Sequence, residues 1–389
     1  EATALSDAGY DINVLTVAYR DEDEQQDEQL IARSRFRKEV VDLRPNPSPW
    51  SRLENLFHRS ATRLARRVVS TGIGGAYALG PAGALERRVR SSEWDLLIAH
   101  TELPLVIGSR LLAEGRRVAV DFEDWHSRDL LPQNRRHRPL RLLETTEKAL
   151  MRQAYSVTTT SQSLAEGLNT TWGGAMPTVV RNVFPLQPKP PPRPIDRPPS
   201  FFWFSQTIGP GRGLEEFAAA WSQTTRPSRL HLLGNPSPGY KAHLLGRLPL
   251  DRRDAISFLP LVPPALLPAK IAEHDLGLAL ELSIPENRRL TITNKFFQYL
   301  NAGLGVLSTA TAGQLEATKT APGGCEIIEL NGPNLVTKLE ELLASPTRIA
   351  AMGHAARDAA ERTLNWENES PRLVAAIESA LAKKPRVGR

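Results

Sequence analysis

The sequence has almost no cysteine. Cys325 stands alone, so the chain can form neither an internal disulfide nor a cysteine-based metal cluster. Long apolar runs are also missing, and no stretch approaches the roughly 18 residues of a membrane-spanning helix. The first residues lack the charged and then apolar pattern of a secretory signal. These absences predict a protein of the reducing cytoplasm that does not cross the membrane.

Basic residues outnumber acidic residues by a modest margin. The net charge of +6 favours anionic partners such as phosphate or lipid, with a merely basic surface as the alternative. The basic residues are not accompanied by an aromatic stacking platform or a nucleic-acid reader motif. Nucleic acid is therefore not an expected partner.

The length and one proline-rich stretch divide the chain. At 389 residues it is too long for a single core, and two domains of about 150 to 200 residues each are expected. Residues 184–199 contain eight prolines, which favour an extended, semi-rigid spacer. We therefore predict an N-terminal domain over 1–183, a linker over 184–199 and a C-terminal domain over 200–389.

Short apolar runs alternate with helical patterns on both sides of this linker. The runs that predict strands are 12–17, 39–43, 95–100, 117–122, 156–160, 178–182, 201–205, 229–234, 256–261, 276–280, 305–309 and 326–330. Such alternation is typical of parallel sheets covered by helices, so the predicted fold class is α/β with two Rossmann-like domains. The chain opens in a helix-like segment, so the first strand of its N-terminal domain is expected to be missing. Patterns over 346–363 and 370–384 predict closing helices.

Two loops of the second half have the features of a phosphate site. After the strand at 201–205, Gly211 and Gly213 permit close backbone approach, and Arg212 adds a planar fork of donors; a plain strand-to-helix turn is the alternative. Further on, Thr293 is a suitable N-cap with Asn294 and Lys295 in the first helical turn. A lysine there opposes the helix dipole, which predicts a bound anion unless its side chain points into solvent.

The segments GRGLEEF, HLLG, ISFLPL and TNKFFQYLNAGLGVLST follow one another in this half. In that order they resemble the donor-binding half of GT-B glycosyltransferases, and the chain is most similar to glycosyltransferase family 4 (glycosyl transferases group 1). The similarity covers nearly all of 201–384 and is looser before the linker. It implies the GT-B architecture, with two Rossmann-like domains facing a cleft and closed by C-terminal helices.

The resemblance also implies roles for single residues. Arg212 and Lys295 match the basic residues that neutralise the donor diphosphate, so neither a metal ion nor another cofactor is expected. Positions that match the family's contacts to the base are Gly234, Phe258 and Leu259.

Two departures from the family bear on activity. Gln298 stands where the family usually has a glutamate that holds the ribose, and Leu290 stands where it has an earlier glutamate. Glu281 and Glu286 are the acids near the rebuilt sugar-side loop. A degenerate binding or scaffold protein with this fold is therefore an alternative to an active enzyme.

Polar residues at strand ends of the first half are the candidates for acceptor chemistry: His100, Glu123, Asp124 and His126. The family is usually retaining and is thought to use the leaving diphosphate to help deprotonate the acceptor, so no single base is required. Glu144 and Glu147 lie on a helical stretch and are expected on a solvated face.

The segment 33–67 contains ten Lys or Arg and three Asp or Glu. Apolar spacing over 50–69 predicts a basic amphipathic helix. It either packs on its own sheet with its arginines in water or lies on an anionic membrane surface, which would make the protein peripheral at the inner face.

The resulting hypothesis is a glycosyltransferase that moves a sugar from a nucleotide diphosphate donor to a hydroxyl acceptor. A UDP-sugar is favoured because it is the commonest donor in the family. The acceptor would be a saccharide, a lipid-linked group or a small molecule in polysaccharide, glycolipid or natural-product assembly. Besides the degenerate protein, a sugar-nucleotide epimerase of the same fold is an alternative.

Overall fold

The computed structural model describes residues 1–32, 34–44, 49–69, 75–191, 193–194 and 196–384; at 22, 23, 26, 29, 30, 49–54, 132 and 133 it describes the backbone alone. These residues form two compact units. Unit 1 comprises 1–159, 165–180 and 370–389, and unit 2 comprises 160–164 and 181–369. The domain boundaries that the proline-rich stretch predicts remain predictions.

Unit 1 is built from alternating strands and helices. In chain order these are α1 (Ala2–Asp7), β1 (Asn13–Ala18), α2 (Asp21–Ile31), β2 (Arg37–Asp42), α3 (Pro49–Val68), α4 (Ala82–Ser91), β3 (Leu97–His100), α5 (Glu102–Ala113), β4 (Val118–Phe122), α6 (Leu140–Gln153), β5 (Ser156–Thr159), α7 (Gln162–Trp172) and β6 (Thr178–Val179). The first residues of α7 are counted with unit 2.

The strands of unit 1 form two parallel ladders. β1 pairs with β2, and β3, β4, β5 and β6 form a four-stranded sheet in chain order. Among the residues that the structure describes, no strand pairing joins the two ladders. β4 is buried along its whole length, whereas most of β1 is only partly buried. Each predicted strand of this half is present, although β6 stops at Val179.

Unit 2 continues the same alternation. Its elements are β7 (Ser200–Ile208), α8 (Leu214–Trp221), β8 (Arg229–Pro236), α9 (Tyr240–Gly246), β9 (Ile256–Leu259), α10 (Leu267–Ala272), β10 (Leu276–Ala279), α11 (Glu286–Leu290), α12 (Asn294–Asn301), β11 (Gly305–Thr309), α13 (Ala312–Thr320), β12 (Cys325–Ile328), α14 (Leu335–Leu343) and α15 (Pro346–Arg362). A last helix, α16 (Trp366–Ala382), contributes to both units.

The sheet of unit 2 is six-stranded and wholly parallel. Its order is β12-β11-β10-β7-β8-β9, so the chain winds outward in both directions from β7. This is the doubly wound arrangement, in which ligands bind beyond the carboxyl ends of the central strands. The α/β class and the parallel sheets predicted from the apolar runs are confirmed.

α12 is fixed to the sheet by its apolar face. Phe296, Phe297 and Leu300 are fully buried, as their spacing predicts. Tyr299 is buried as well, and its hydroxyl donates to the carbonyl oxygen of Leu278 at 3.4 Å. A Cβ at Gly277 in β10 would overlap the Tyr299 ring, so glycine at this position sets how closely α12 approaches the strand.

The predicted basic helix is present as α3. Its inner face includes Ala65, which is buried, while Leu56, Phe57 and Leu64 are each 63% exposed. None of the described helices combines the length and apolarity required to cross a bilayer. Cys325 begins β12, and burial raises the pKa of its thiol to about 12.

Candidate active site

The first loop of the predicted phosphate site follows the central strand of unit 2. β7 continues to Ile208, three residues beyond its predicted end, and the chain passes Gly211 and Gly213 before α8. Both glycines have φ in the left-handed region, +76° and +75°, where other residues are strained. No described atom lies within 4 Å of a Cβ built on Gly211, so this side of the loop is open. Accessible backbone therefore lies at the carboxyl end of a parallel strand.

The second loop leads into α12. Thr293 occupies the N-cap position with extended backbone, as predicted, but its side chain makes no capping hydrogen bond. Asn294 is exposed and Lys295 is partly buried in the first turn. The first-turn N–H groups therefore lack the side-chain acceptor that the sequence predicts, and an anion can take that place.

Lys295 does not point into open solvent. Its ammonium nitrogen lies 5.4 Å from the centre of the Trp203 ring and 5.9 Å from that of Phe204. The pKa of Lys295 is lowered to about 8, chiefly by burial; the charge of Glu281 opposes this lowering, and those of Arg212 and Arg288 add to it. Within the described residues no carboxylate lies within 4.0 Å of this ammonium. The group is thus a desolvated cation whose charge an anion would stabilise.

Arg288 is a member of this cluster that sequence reasoning missed. It lies on α11, and its guanidinium donates to the carbonyl oxygen of Gly211 at 3.0 Å. This hydrogen bond ties the glycine loop to the segment before α12 and brings a third cation near Lys295. The available signal was the Arg288-Arg289 pair, which is common on any solvated helix.

Glu281 and Glu286, the two acids predicted near the donor sugar, lie in different environments. Glu281 is 6% exposed and lies 3.7 Å from Arg212; its backbone N–H donates to the Thr309 hydroxyl at 2.9 Å. Among the described residues its Oε2 has no hydrogen-bond partner, so this oxygen can accept a hydrogen bond from a ligand beside Arg212 and Lys295. Glu286 begins α11 and pairs with Arg289 at 3.4 Å, and it is not among the charges that shift Lys295.

The positions expected near the ribose and base lie on three elements. Gln298 is partly buried, three residues after Lys295 and on the same face of α12. Gly234 lies inside β8, two residues before its end, because the strand is longer than predicted. A Cβ there would overlap the Ser205 carbonyl, so this glycine permits the close pairing of β7 and β8. Phe258 and Leu259 end β9 and are partly buried.

In unit 1, His100 ends β3 and lies between two carboxylates. Its Nε2 is 3.1 Å from Glu1 and its Nδ1 is 3.4 Å from Asp121. Burial lowers its pKa, but the hydrogen bonds and charges of Asp121 and Glu1 outweigh burial and raise the pKa to about 10. His100 is therefore protonated at neutral pH and is unsuited to act as a base. The three residues have ligand atoms within 4.8 Å of one another, a spacing that also suits a cation.

The structure brings the other acceptor-side candidates to the same edge. Glu123 is exposed, and desolvation together with Asp121 raises its pKa. His126 is shifted the other way: burial lowers its pKa, against the charges of Asp124 and Asp121. Its Nε2 is buried and has no hydrogen-bond partner among the described residues. His126 is thus the neutral imidazole of the group, with a free ring nitrogen.

The prediction for Glu147 is wrong. It is 1% exposed, and its carboxylate accepts hydrogen bonds from the Ser127 hydroxyl at 2.6 Å, the Ser127 N–H at 2.9 Å and the Trp125 ring N–H at 3.2 Å. Burial outweighs these bonds and raises its pKa to about 7. Glu147 on α6 therefore holds the segment that carries Asp124 and His126, while Glu144 is exposed as expected.

Comparison with protein families finds one match in the first half of the chain. Residues 1–186 match the family described as glycosyl transferase 4-like domain. A search of characterised protein sequences finds no significant match.

Solved structures resemble the whole chain. Sucrose-phosphate synthase of Thermosynechococcus elongatus is 13% identical with a TM-score of 0.66, covering 95% of this chain and 99% of that one. HepE of Anabaena in complex with UDP-glucose is 15% identical with a TM-score of 0.60, covering 95% and 100%. WaaG, a glycosyltransferase involved in lipopolysaccharide biosynthesis, is 12% identical with a TM-score of 0.58, covering 93% and 98%. These similarities show the shared fold.

Proposed function

We propose that this chain is a glycosyltransferase and infer a donor, a reaction and residue roles for it, because residues 1–186 match the glycosyl transferase 4-like domain family and the chain has the GT-B fold. The proposed reaction transfers a sugar from a nucleotide diphosphate sugar to a hydroxyl of the acceptor without a metal ion and with retention. UDP-sugar is the proposed donor, and the complexes of HepE with UDP and with UDP-glucose support that choice.

The cluster of Lys295, Arg212 and Arg288 carries the proposal. Three cations converge beside an open glycine loop and a helix end without a side-chain cap, and the buried carboxylate of Glu281 faces them. A diphosphate accepts hydrogen bonds from guanidinium forks and backbone N–H groups at once, and its charge compensates the cluster. Neutralising the leaving group in this way lowers the barrier to departure without a metal.

The other donor roles follow from the positions around this cluster. We assign Gln298 to the ribose, where its amide offers both a donor and an acceptor to the hydroxyls. Gly234, Phe258 and Leu259 would surround the base. The free Oε2 of Glu281 suits a hydroxyl of the transferred sugar.

The acceptor role is assigned within the strand-end group of unit 1. His126 is neutral and has an unpartnered Nε2, so it is the member suited to receive a proton from the acceptor hydroxyl. Protonated His100, between Asp121 and Glu1, and the carboxylates of Glu123 and Asp124 would orient that hydroxyl. Since the leaving diphosphate can itself take the proton, removing His126 should slow turnover and not abolish it.

The test is a thermal-shift panel of UDP, GDP, CDP and ADP. A hundredfold excess over Kd stabilises a folded protein by about 2.7 kcal/mol, a shift of several degrees. We expect UDP to stabilise the wild type and to lose most of this effect in Lys295→Ala and Arg212→Ala. Lys319→Ala and Arg247→Ala serve as matched controls because both residues are in unit 2 and exposed. Equal stabilisation of all four variants would show that the phosphate site is elsewhere.

Gln298 stands where the resembled family usually has a glutamate, and this departure favours a second candidate function, that of a donor-binding protein without catalytic turnover. Release of UDP from a UDP-sugar, measured with and without acceptor extract, separates the two functions. Tight UDP binding with neither hydrolysis nor transfer would support the binding protein. An epimerised UDP-sugar formed without acceptor would instead identify an epimerase.

The proposed setting is the cytoplasm, with α3 available for contact with an anionic membrane surface. The exposed Leu56, Phe57 and Leu64 and the arginines of the same helix support this contact. The acceptor would then be a saccharide, a lipid-linked group or a small molecule.

A further inference from the structure

Unit 1 contains a cavity of about 320 Å³ where α3 faces the carboxyl ends of β1 and β2. Arg59, Arg63 and Arg66 line it from α3, and Tyr19 lines it from the segment after β1. The three arginines are spaced four and three residues apart, so they share one face of the helix. None of them belongs to the strand-end group at His100, and the proposed reaction gives them no role.

Two other arginines of unit 1 have their charge compensated by carboxylates. Arg90 pairs with Glu114 at 2.7 Å, and Arg110 pairs with Glu86 at 2.6 Å. The cavity arginines have no such partners: across the described parts of the chain, no carboxylate oxygen lies within 4.0 Å of any of their guanidiniums. Three like charges on one helix face repel one another, so this arrangement is unfavourable without a counter-charge.

Two of the three guanidiniums are held in place by backbone. Arg59 donates to the carbonyl oxygen of Leu43 at 2.9 Å, and Arg66 donates to that of Ala78 at 3.0 Å. Arg63 makes no hydrogen bond within the described residues and is exposed. The guanidinium groups of Arg59 and Arg66 are therefore fixed in orientation beside the cavity. The long side chain of Arg63 is free of such hydrogen bonds within the described residues and can turn to contact a ligand.

Tyr19 adds a neutral donor to the same cavity. Its hydroxyl lies 3.6 Å from the position of a Cβ on Gly80, which also lines the cavity. Burial raises the pKa of Tyr19, against Arg66 and Arg59, which lower it, so the phenol keeps its proton at neutral pH. A hydroxyl donor among guanidiniums suits an oxyanion.

We propose that this cavity binds a phosphate group of the acceptor, held by Arg59, Arg63 and Arg66. The assignment to an acceptor rests on the proposed function; the phosphate chemistry rests on the cavity alone. Three guanidinium forks and a hydroxyl offer more donors than the two oxygens of a carboxylate can accept, whereas a phosphate monoester has three free oxygens. The volume is at the lower limit of ligand pockets, which suits a phosphate with one small neighbouring group.

The decisive comparison is Arg63→Ala against Arg67→Ala. Both residues are exposed on α3, but Arg67 does not line the cavity. The probe is glycerol 3-phosphate, titrated by calorimetry in the presence of saturating UDP. Loss of one charge-assisted contact should weaken binding to Arg63→Ala at least about tenfold and leave Arg67→Ala unchanged. No binding to the wild type, or equal weakening in both variants, overturns the proposal.

Vesicles identify the source of the phosphate. Binding of the wild type and of both variants is measured to phosphatidylcholine vesicles with and without phosphatidylglycerol. Glycerol 3-phosphate is then added as a competitor. Competition that requires Arg63 supports a phospholipid headgroup in the cavity; binding of glycerol 3-phosphate without competition supports a soluble phosphate ester. Vesicle binding that both variants weaken alike, with no binding of glycerol 3-phosphate, overturns the cavity as the site.

The same titration on Lys295→Ala separates this inference from the proposed function. If the donor site is wrongly assigned, UDP binding will not respond to Lys295, yet glycerol 3-phosphate will still distinguish Arg63→Ala from Arg67→Ala. If only the cavity is wrongly assigned, the UDP response will remain and this distinction will be lost.

Discussion

At the scale of single residues, the proposed donor site is marked by positive charge that the described residues compensate only in part. Lys295 sits beside Arg212 and Arg288, and burial keeps its pKa near 8. A lysine in this state has lost hydration and gained aromatic rings but no carboxylate within 4.0 Å among the described residues, which is a cost in the free protein. A ligand with two negative phosphates removes that cost, so the same feature that weakens the empty site strengthens the occupied one.

The lowered pKa of Lys295 predicts that the affinity for UDP depends on pH. Below pH 8 the Lys295 ammonium is already protonated; above pH 8 binding must also return a proton to it, so Kd should rise by up to about tenfold per pH unit. Calorimetry between pH 7 and 10 measures the profile. Lys295→Arg keeps its charge over this range and should have a nearly flat profile. A flat wild-type profile would contradict the role given to Lys295.

Residue-scale prediction from the sequence succeeded where the signal was local. Lys295 lies in the first turn of α12 as predicted, and the apolar spacing located Phe296 and Leu300 in the core, whereas the phosphate role of Lys295 stays a prediction. Arg288 and Glu147 were missed because their environment comes from other elements: the glycine loop for one, and the Trp125 to Ser127 segment for the other. Nothing in their own neighbourhood distinguishes them from solvated charges.

At the scale of elements, α6 positions the segment that carries the candidate acceptor base. Glu147 projects from the helix and accepts three hydrogen bonds from Trp125 and Ser127, on either side of His126. A buried carboxylate with several donors fixes a loop more firmly than apolar packing alone, because each donor would otherwise be unsatisfied. The position of His126 is thus set from a different element.

Glu147 should make stability fall as pH rises. Between its ordinary pKa of 4.5 and its folded value of about 7, the folded protein keeps a proton that the unfolded chain releases. The free energy of unfolding should therefore fall by up to about 1.4 kcal/mol per pH unit in this window. Urea denaturation at pH 5, 6 and 7 measures the slope. Glu147→Gln should lessen it, whereas Glu144→Gln on the exposed face should not; equal slopes in all three proteins would contradict the burial of the proton.

The contact between α12 and β10 predicts a second effect. Gly277→Ala puts a methyl group into the Tyr299 ring, and the overpacking should cost about 1–3 kcal/mol of unfolding free energy and displace Lys295 with α12. Gly246→Ala is the control because a Cβ there meets no described atom within 4 Å. Chemical denaturation and the UDP titration measure both consequences. Two variants of equal stability would show that the strand and helix can separate freely.

At the scale of the whole molecule, the sequence predicted the architecture better than its details. Buried parallel strands are continuous apolar runs, and helices between them repeat every three or four residues, so both signals are strong along each half. Strand ends were less accurate: β7 and β8 extend beyond their apolar runs, and Thr207 there pairs with Asn235 through backbone that carries no side-chain pattern. The partition of α16 between both units had no signal in its own periodicity.

Bound UDP should protect backbone N–H groups from hydrogen exchange mainly in unit 2. On adding UDP, hydrogen exchange should slow in 209–217 and 288–300 of unit 2, because the ligand takes up the N–H groups at both helix ends. Exchange in 123–129 of unit 1 should respond to UDP less than these segments do. Mass spectrometry of peptic peptides measures both regions, with Lys295→Ala as the control that loses the effect. Protection confined to unit 1 would contradict the donor assignment.

The lone cysteine gives the molecule a practical property. Because burial holds the thiol of Cys325 at a pKa of about 12, almost none of it is thiolate at neutral pH, and it should resist maleimides. A cysteine introduced at an exposed position such as Arg67 or Lys319 would then be the fast-reacting thiol. A fluorophore can therefore be attached to either unit without first removing the native cysteine.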